Sequence, residues 1–91
     1  MKENDVVTLV AVTGAEYVGK FSEADTMGVW LKDPHIVTPQ GESLGFMPTV
    51  AMTGEVKLDK VLFRTAGIVL VVPCAEQVEK EYRRASSGII T

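Results

Sequence analysis

Cysteine and histidine are almost missing from this chain of 91 residues, which contains one of each. With Cys74 as the single cysteine, neither an intrachain disulfide nor a zinc site built from several cysteines can form. His35 has no second ligand at a metal-binding spacing, so it is interpreted as a partly buried histidine at the end of a strand. The residues therefore predict no metal, no cofactor and a reducing compartment.

Positive charge and long apolar runs are also scarce. Nine basic residues against twelve acidic ones give a formal charge of −3, so no overall positive field attracts nucleic acid or an anionic membrane. No apolar run approaches the ~20 residues of a membrane-spanning helix, and the first residues lack the apolar core of a signal peptide. We therefore expect a cytoplasmic protein without a membrane partner, in which any contact with nucleic acid is local.

Catalytic patterns are missing as well. The sequence contains no Ser-His-Asp set, no glycine-rich phosphate loop and no paired metal ligands. Cys74 has no lysine or histidine beside it that would activate the thiol, so it is interpreted as a buried cysteine. Asp25 is interpreted as a carboxylate that caps a turn. We expect no catalytic residues and no enzyme.

What the sequence does contain is a series of alternating and β-branched strand patterns. They predict five strands, at residues 6–13, 16–22, 27–33, 55–63 and 68–72. The first three are joined by turns too short for parallel pairing. Residues 38–54 contain two prolines and three glycines. They are interpreted as a long connection. This segment is expected either to pack its apolar side chains on the same or a neighbouring subunit, or to form an extension of the flanking strands.

Two further features complete the predicted fold. Gly19 stands at the centre of the second strand, where a glycine marks a bend, a bulge or a close backbone approach. Apolar residues at helical spacing, with acidic residues early and arginines late, predict an amphipathic helix over about 75–86. The chain is therefore predicted to be one mostly β domain, residues 1–91, that forms a small, strongly bent open barrel with a C-terminal helix.

Two stretches of the sequence resemble the signatures of the Sm and Sm-like family. The first covers residues 6–37 and includes "VTLVAVTGAEYVGKFSEADTMGVWL", in which "EYVGKFSEAD" looks most like the D-type spliceosomal Sm proteins. The second covers residues 55–73 and includes "VLFRTAGIVLVVP". The resemblance implies a five-stranded Sm-like barrel of the SH3-like class, in which Gly19 lets the second strand bend. It also implies a homo-oligomeric ring of five to seven subunits, closed by edge strands that carry Val61, Phe63, Val69 and Val71.

The resemblance further implies a site for single-stranded RNA at the inner rim of the ring. Family members bind oligouridine there with two loops, which in this chain correspond to Thr26, Met27 and Gly28 and to Arg64, Thr65 and Ala66. Gly28 stands where the family has an asparagine that reads uracil, and Thr26 stands where the family often has a stacking aromatic residue or histidine. We therefore expect weak RNA binding with little base specificity.

Several of these residues have a second interpretation. Arg64 suits an ion pair or a stacked contact between subunits as well as it suits RNA. Met27, on the predicted face of Val29, is interpreted mainly as core packing. Trp30 and Lys32 share a strand face, and packing against the helix or the next subunit is preferred to a base-stacking patch. For the whole protein, the alternative to an RNA-binding ring is a ring-forming protein-interaction scaffold, which the negative charge favours.

Overall fold

The structure is a computed structural model that describes residues 1–49, 54–55 and 59–87. Its elements are β1 (Val6–Ala11), β2 (Glu16–Asp25), β3 (Gly28–Gln40), β4 (Ser43–Pro48), β5 (Val61–Arg64), a 3-10 turn (Thr65–Gly67), β6 (Ile68–Pro73) and α1 (Glu76–Ser86). The strands form one antiparallel sheet in the order β4-β3-β2-β1-β6, and β5 also pairs with β3. The predicted fold class, a mostly β, strongly curled small barrel with a C-terminal helix, is confirmed.

Strands β4 and β5 share the same edge of β3. β4 pairs with residues 35–40 and β5 with residues 28–31, so six strand segments fill five strand positions. Twelve residues separate Pro48 from Val61, whereas only three separate Leu31 from His35, so the chain between β4 and β5 has nine residues more than the stretch of β3 that it spans. The fourth strand position is therefore interrupted. Of the strand predicted over 55–63, residues 61–63 lie in β5 and residues 56–58 lie outside the described residues.

The interpretation of 38–54 as a long connection was wrong for its first half. Residues 38–40 continue β3, and β4 folds back on them through a two-residue turn in which Gly41 has a φ of 63°. Pro39 is tolerated because it lies beyond the last β2–β3 pair, and Pro48 is tolerated in an edge strand. The alternative, an extension of the flanking strands, is what the structure contains. Residues 50–53 lie outside the described residues.

The sheet bends where β2 faces an irregular part of β3. Val18 pairs with His35 while Lys20 pairs with Lys32, so Gly19 alone faces two residues of β3. One of these, Asp33, has a φ of 49°, and such a bulge increases the local twist of the strands. A Cβ atom at position 19 would lie only 3.1 Å from the Cα atom of Pro34. Glycine therefore permits a close approach of the two backbones at the bend.

Apolar clusters lie on both faces of the sheet. The barrel cluster fills the curled interior and consists of Val7, Leu9 and Leu31 with Tyr17, Phe21, Val29, Phe63, Ile68 and Val71. The helix-side cluster lies under α1 and consists of Val6, Val18 and Tyr82 with Val37, Phe46, Cys74 and Val78. Successive residues of a strand point to opposite faces, so β1 contributes to both clusters. The part of the outer face that α1 leaves uncovered carries Trp30 and Lys32.

The helix docks on the sheet through Tyr82, which is fully buried. The Tyr82 hydroxyl donates a hydrogen bond of 2.8 Å to the carbonyl oxygen of Asp33, and its ring meets His35 edge-on. His35 is itself buried in the middle of β3, not at a strand end as predicted, and its Nδ1 donates to the same carbonyl at 3.1 Å. The bulge in β3 thus supplies the acceptor that fixes the helix.

Candidate nucleic-acid interface

The two loops that the sequence singled out lie side by side. Gly28 and Arg64 form the first pair of the β3–β5 ladder. Beyond that pair, the Thr65 amide donates to the Met27 carbonyl at 3.0 Å, and the Thr65 hydroxyl donates to the Thr26 carbonyl at 3.4 Å. Residues 26–28 and 64–66, which we call the rim, therefore form one continuous surface at the end of the sheet.

Asp25 holds the first rim loop in shape. Its Oδ1 atom accepts the Met27 amide at 2.8 Å and the Gly28 amide at 3.3 Å, so the predicted turn-capping role is confirmed. These two amides, like that of Thr65, already donate within the protein. These three amides are therefore not available to a ligand at the rim.

Gly28 is required by the close approach of β5. Its φ is 151°, a value that favours glycine, and a Cβ atom at this position would overlap the carbonyl oxygen of Phe63. An asparagine in the same place would have to displace the β5 backbone. The absence of a side chain at position 28 thus has a structural cause, which is the tight pairing of β3 with β5.

Met27 does not pack in the core, so its main sequence interpretation was wrong. Half of its surface is exposed, at 50 %. The reason is that β3 begins at Gly28, which places Met27 in the turn, and the core-facing residues begin at Val29. The flexible thioether is instead an apolar surface on the rim, in the loop that faces Arg64.

Arg64 is the cation of the rim. Its side chain is exposed, and within residues 1–49, 54–55 and 59–87 it makes no ion pair or hydrogen bond. Both sequence interpretations, RNA contact and ion pairing between subunits, require such an available guanidinium group. Its position opposite Gly28 places it on the face of the sheet that points away from the barrel cluster.

The predicted interface residues divide into two groups. Phe63 and Val71 pack in the barrel cluster, and Val61 is partly buried opposite Leu31. Val69 is 59 % exposed on β6. The sequence analysis missed two other exposed residues of this strand, Leu70 and Val72. A fully apolar run such as "IVLVV" gives no alternation that would separate its inner from its outer residues.

Beside the rim, the outer face of the sheet carries an aromatic ring among lysines. Trp30 pairs with Leu62 on β5, and Lys60 Nζ lies 4.9 Å from the centre of the partly buried Trp30 ring. Lys32, two residues beyond Trp30 on the same face, pairs across strands with Lys20. The sequence placed Trp30 and Lys32 on one face but had no signal for Lys60, which reaches Trp30 only through the fold.

Two of these lysines are held by carboxylates. Lys60 bonds to Glu23 at 2.7 Å, and Lys32 bonds to Glu3 at 2.7 Å. The hydrogen bond and charge of Lys32 lower the pKa of Glu3, and the hydrogen bond to Glu23 raises the pKa of Lys60. The carboxylate of each pair is largely exposed, so both ion pairs are weak. The Lys20 side chain has no hydrogen-bond or ion-pair partner in the part of the chain that the structure describes.

Other kinds of site find little support among the described residues. They contain no group of three or more metal-ligating side chains and no helix long and apolar enough to span a membrane. Cys74 lines a cavity of about 250 Å³ beneath the N-terminal segment, where burial raises the pKa of its thiol. A raised pKa lowers the thiolate fraction at neutral pH, so the thiol is not activated.

No protein-family model matches the chain, and no curated protein sequence is significantly similar to it.

Proposed function

We propose that this chain is an Sm-like protein that forms a homo-oligomeric ring and binds single-stranded RNA weakly at the rim. The observation that carries the proposal is the cross-strand pair of Gly28 and Arg64, which joins the two loops matching the RNA-binding loops of the family. The curled sheet with five strand positions agrees with the resemblance of residues 6–37 and 55–73. A single thiol without a disulfide partner fits a cytoplasmic location.

Assembly would use the two edges of the sheet. Among the described strands, β6 pairs only with β1, and β5 pairs only with β3. Unpaired edges invite strand addition from another chain, and the exposed Val69, Leu70 and Val72 add apolar surface to the β6 edge. Pairing β6 of one subunit with β5 of the next is a head-to-tail contact, which closes a ring when the rotation allows it. Five to seven subunits are expected from the family resemblance.

RNA binding would rest on Arg64. Its exposed guanidinium group can contact a phosphate or stack on a base. The rim amides of Met27, Gly28 and Thr65 are engaged within the protein and are poorly placed to read base edges. We therefore expect binding that depends on phosphate charge and distinguishes little between bases.

Fluorescence anisotropy with labelled oligouridine and oligoadenine tests the binding. Both should bind at low salt and weaken in parallel as salt rises, because released counterions drive phosphate-led binding. Arg64→Ala should weaken both. Arg84→Ala is the matched control, since Arg84 is exposed on α1 and paired with Glu81 at 3.3 Å. No binding by the intact ring at low salt, or equal losses in the two variants, would overturn the RNA-binding proposal.

Light scattering coupled to size exclusion tests the ring. The wild-type chain should elute as an oligomer of five to seven subunits, and Val69→Lys should reduce its mass because a charge on the edge opposes strand pairing. Val12→Lys is the matched control, as Val12 is equally exposed at 61 % but lies in the turn after β1. A stable wild-type monomer at micromolar concentration would remove the ring from the proposal.

A protein-interaction scaffold is the second candidate. The net charge of −3 and the apolar side chains exposed on β4, Leu44 and Met47, favour it. A ring that assembles as expected but binds neither oligonucleotide at low salt would support this candidate over RNA binding.

A further inference from the structure

The rim continues onto the outer face of the sheet. Gly28 and Arg64 form one cross-strand pair, and Trp30 and Leu62 form the next pair on the same face. Residues two apart in a strand share a face, and the intervening pair, Val29 with Phe63, points into the barrel cluster. The Arg64 side chain and the Trp30 ring therefore lie on the same side of the sheet.

The same face carries cations beyond Trp30. Lys60 lies over the ring, Lys32 follows two residues later on β3, and Lys20 is the cross-strand partner of Lys32. At about 3.3 Å per residue, the four steps from Gly28 to Lys32 span roughly 13 Å. We call the series Arg64, Trp30, Lys60, Lys32 and Lys20 the outer-face track.

We propose that the outer-face track binds single-stranded RNA leading away from the rim, with one base stacked on Trp30 and the flanking phosphates bound by the lysines. This inference rests on the proposed RNA-binding function and names a second part of the same site. Stacking on an aromatic ring combined with nearby cations is the usual means of binding single strands without base selection. Trp30 supplies the stacking surface that Thr26 cannot supply at the rim.

Two of the three lysines of the track, Lys60 and Lys32, are paired with carboxylates when RNA is absent. Glu23 holds Lys60 over the Trp30 ring, and Glu3 holds Lys32. The two carboxylates are largely exposed, at 54 % and 62 %, so an incoming phosphate can replace them at low cost. When Lys60 moves to a phosphate, the ring face that it covers becomes available to a base. Glu23 and Glu3 thus compete with RNA for the same cations.

Intrinsic fluorescence gives a direct test, because Trp30 is the only tryptophan of the chain. Titration of the intact ring with unlabelled oligouridine should quench the tryptophan emission, with the same midpoint as the anisotropy titration. Trp30→Phe should keep most of the affinity, whereas Trp30→Leu should weaken binding by about 5-fold to about 150-fold, the range expected for one stacked base. Thermal melts and light scattering of both variants establish that the fold and the oligomeric ring are intact.

Removal of a carboxylate charge supplies a second test, in which the affinity for RNA should rise. A gain in affinity cannot be caused by misfolding of the variant. Glu23→Gln should tighten oligouridine binding several-fold, because it removes the competitor for Lys60. Glu42→Gln is the matched control, since it removes the same charge at the exposed β3–β4 turn and should have a much smaller effect. A Glu23→Gln variant that binds no more tightly than Glu42→Gln would overturn the competition between Glu23 and RNA.

The outcomes separate this inference from the proposed function. Arg64-dependent binding without tryptophan quenching, and with equal affinities of Trp30→Phe and Trp30→Leu, would overturn the outer-face track and leave the rim site standing. Absence of any anisotropy change with the intact ring would overturn both. Quenching together with a loss specific to Trp30→Leu would support the track.

Discussion

Tyr82→Phe removes a single oxygen atom from the contact by which α1 docks on the sheet. Tyr82 is fully buried, and its hydroxyl donates to the Asp33 carbonyl at 2.8 Å. The substitution leaves the ring in place, with its edge contacts to His35 and Phe46. It therefore isolates the hydrogen bond from the packing of the helix.

The structure sets the expected cost at about 1 kcal/mol, the net value of one neutral hydrogen bond. A larger loss would follow if the Asp33 carbonyl were left without a donor, but His35 Nδ1 still donates to it at 3.1 Å. For a domain of this length, total stability is about 5–14 kcal/mol, so the variant should fold. A loss of about 1 kcal/mol corresponds to a decrease in Tm of about 4–8 °C.

Thermal unfolding followed by circular dichroism provides the assay, and Tyr17→Phe provides the control. Tyr17 also lies in an apolar cluster, edge-on to Phe63, but its hydroxyl has no hydrogen-bond partner among the described residues. Its loss should change stability by less than about 0.5 kcal/mol. Equal Tm values for Tyr82→Phe and Tyr17→Phe would refute the docking role of the Asp33 carbonyl.

The stability contributed by the Tyr82 contact should also depend on pH in the alkaline range. Burial, with the negative charge of Asp33 as a second cause, raises the pKa of Tyr82 well above its usual value. Below about pH 10 the phenol is neutral in both the folded and the unfolded chain, so the Tyr82 hydroxyl makes its full contribution to the free energy of unfolding. Above about pH 10 only the unfolded chain loses the proton, so this contribution falls by about 1.4 kcal/mol per pH unit. The wild type should lose its advantage over Tyr82→Phe by about pH 11.

Three further outcomes are expected. Gly28→Ala should lower the free energy of unfolding by about 1–3 kcal/mol in urea titrations, because its Cβ atom overlaps the Phe63 carbonyl, whereas Gly67→Ala has open space and should be nearly neutral; equal effects would contradict the close approach. Asp25→Ala should lower the Tm by removing the acceptor of two rim amides, while Asp25→Asn retains an acceptor and should lower it less. Alkylation of Cys74 by iodoacetamide at neutral pH should be slower in the folded than in the urea-unfolded protein, and equal rates would contradict its burial.

The strands that the sequence predicted are those with uninterrupted β-branched or alternating patterns. β1, β2 and the first half of β3 belong to this group, as does β6. β4 was missed because Pro39 and Pro48 suppress a strand prediction. The structure places both prolines where a ladder hydrogen bond is not required, which depends on the neighbouring strands and not on the local sequence.

The candidate site shows a similar limit. The adjacency of the loops at 26–28 and 64–66 followed from the family resemblance, and the turn-capping role of Asp25 followed from its residue type. The exposure of Met27 could not be predicted in this way. β3 begins at Gly28, one residue later than the predicted strand, and this difference of one residue moves Met27 from a core-facing strand position into the turn. The contact of Lys60 with Trp30 and Glu23 joins residues more than 29 positions apart, and no local pattern encodes such a pairing.

The interrupted edge of the sheet has a consequence for sequence comparison. β4 and β5 are each aligned by their own pairs with β3, and the chain from Pro48 to Val61 is nine residues longer than the stretch of β3 between their partners, His35 and Leu31. Chain length between these two positions can therefore change without shifting any pair of the sheet, at a loop-closure cost that grows only slowly with length. Alignment gaps among related sequences should gather there. A comparison that treats the fourth strand position as one contiguous segment will misplace one of its two halves by nine residues.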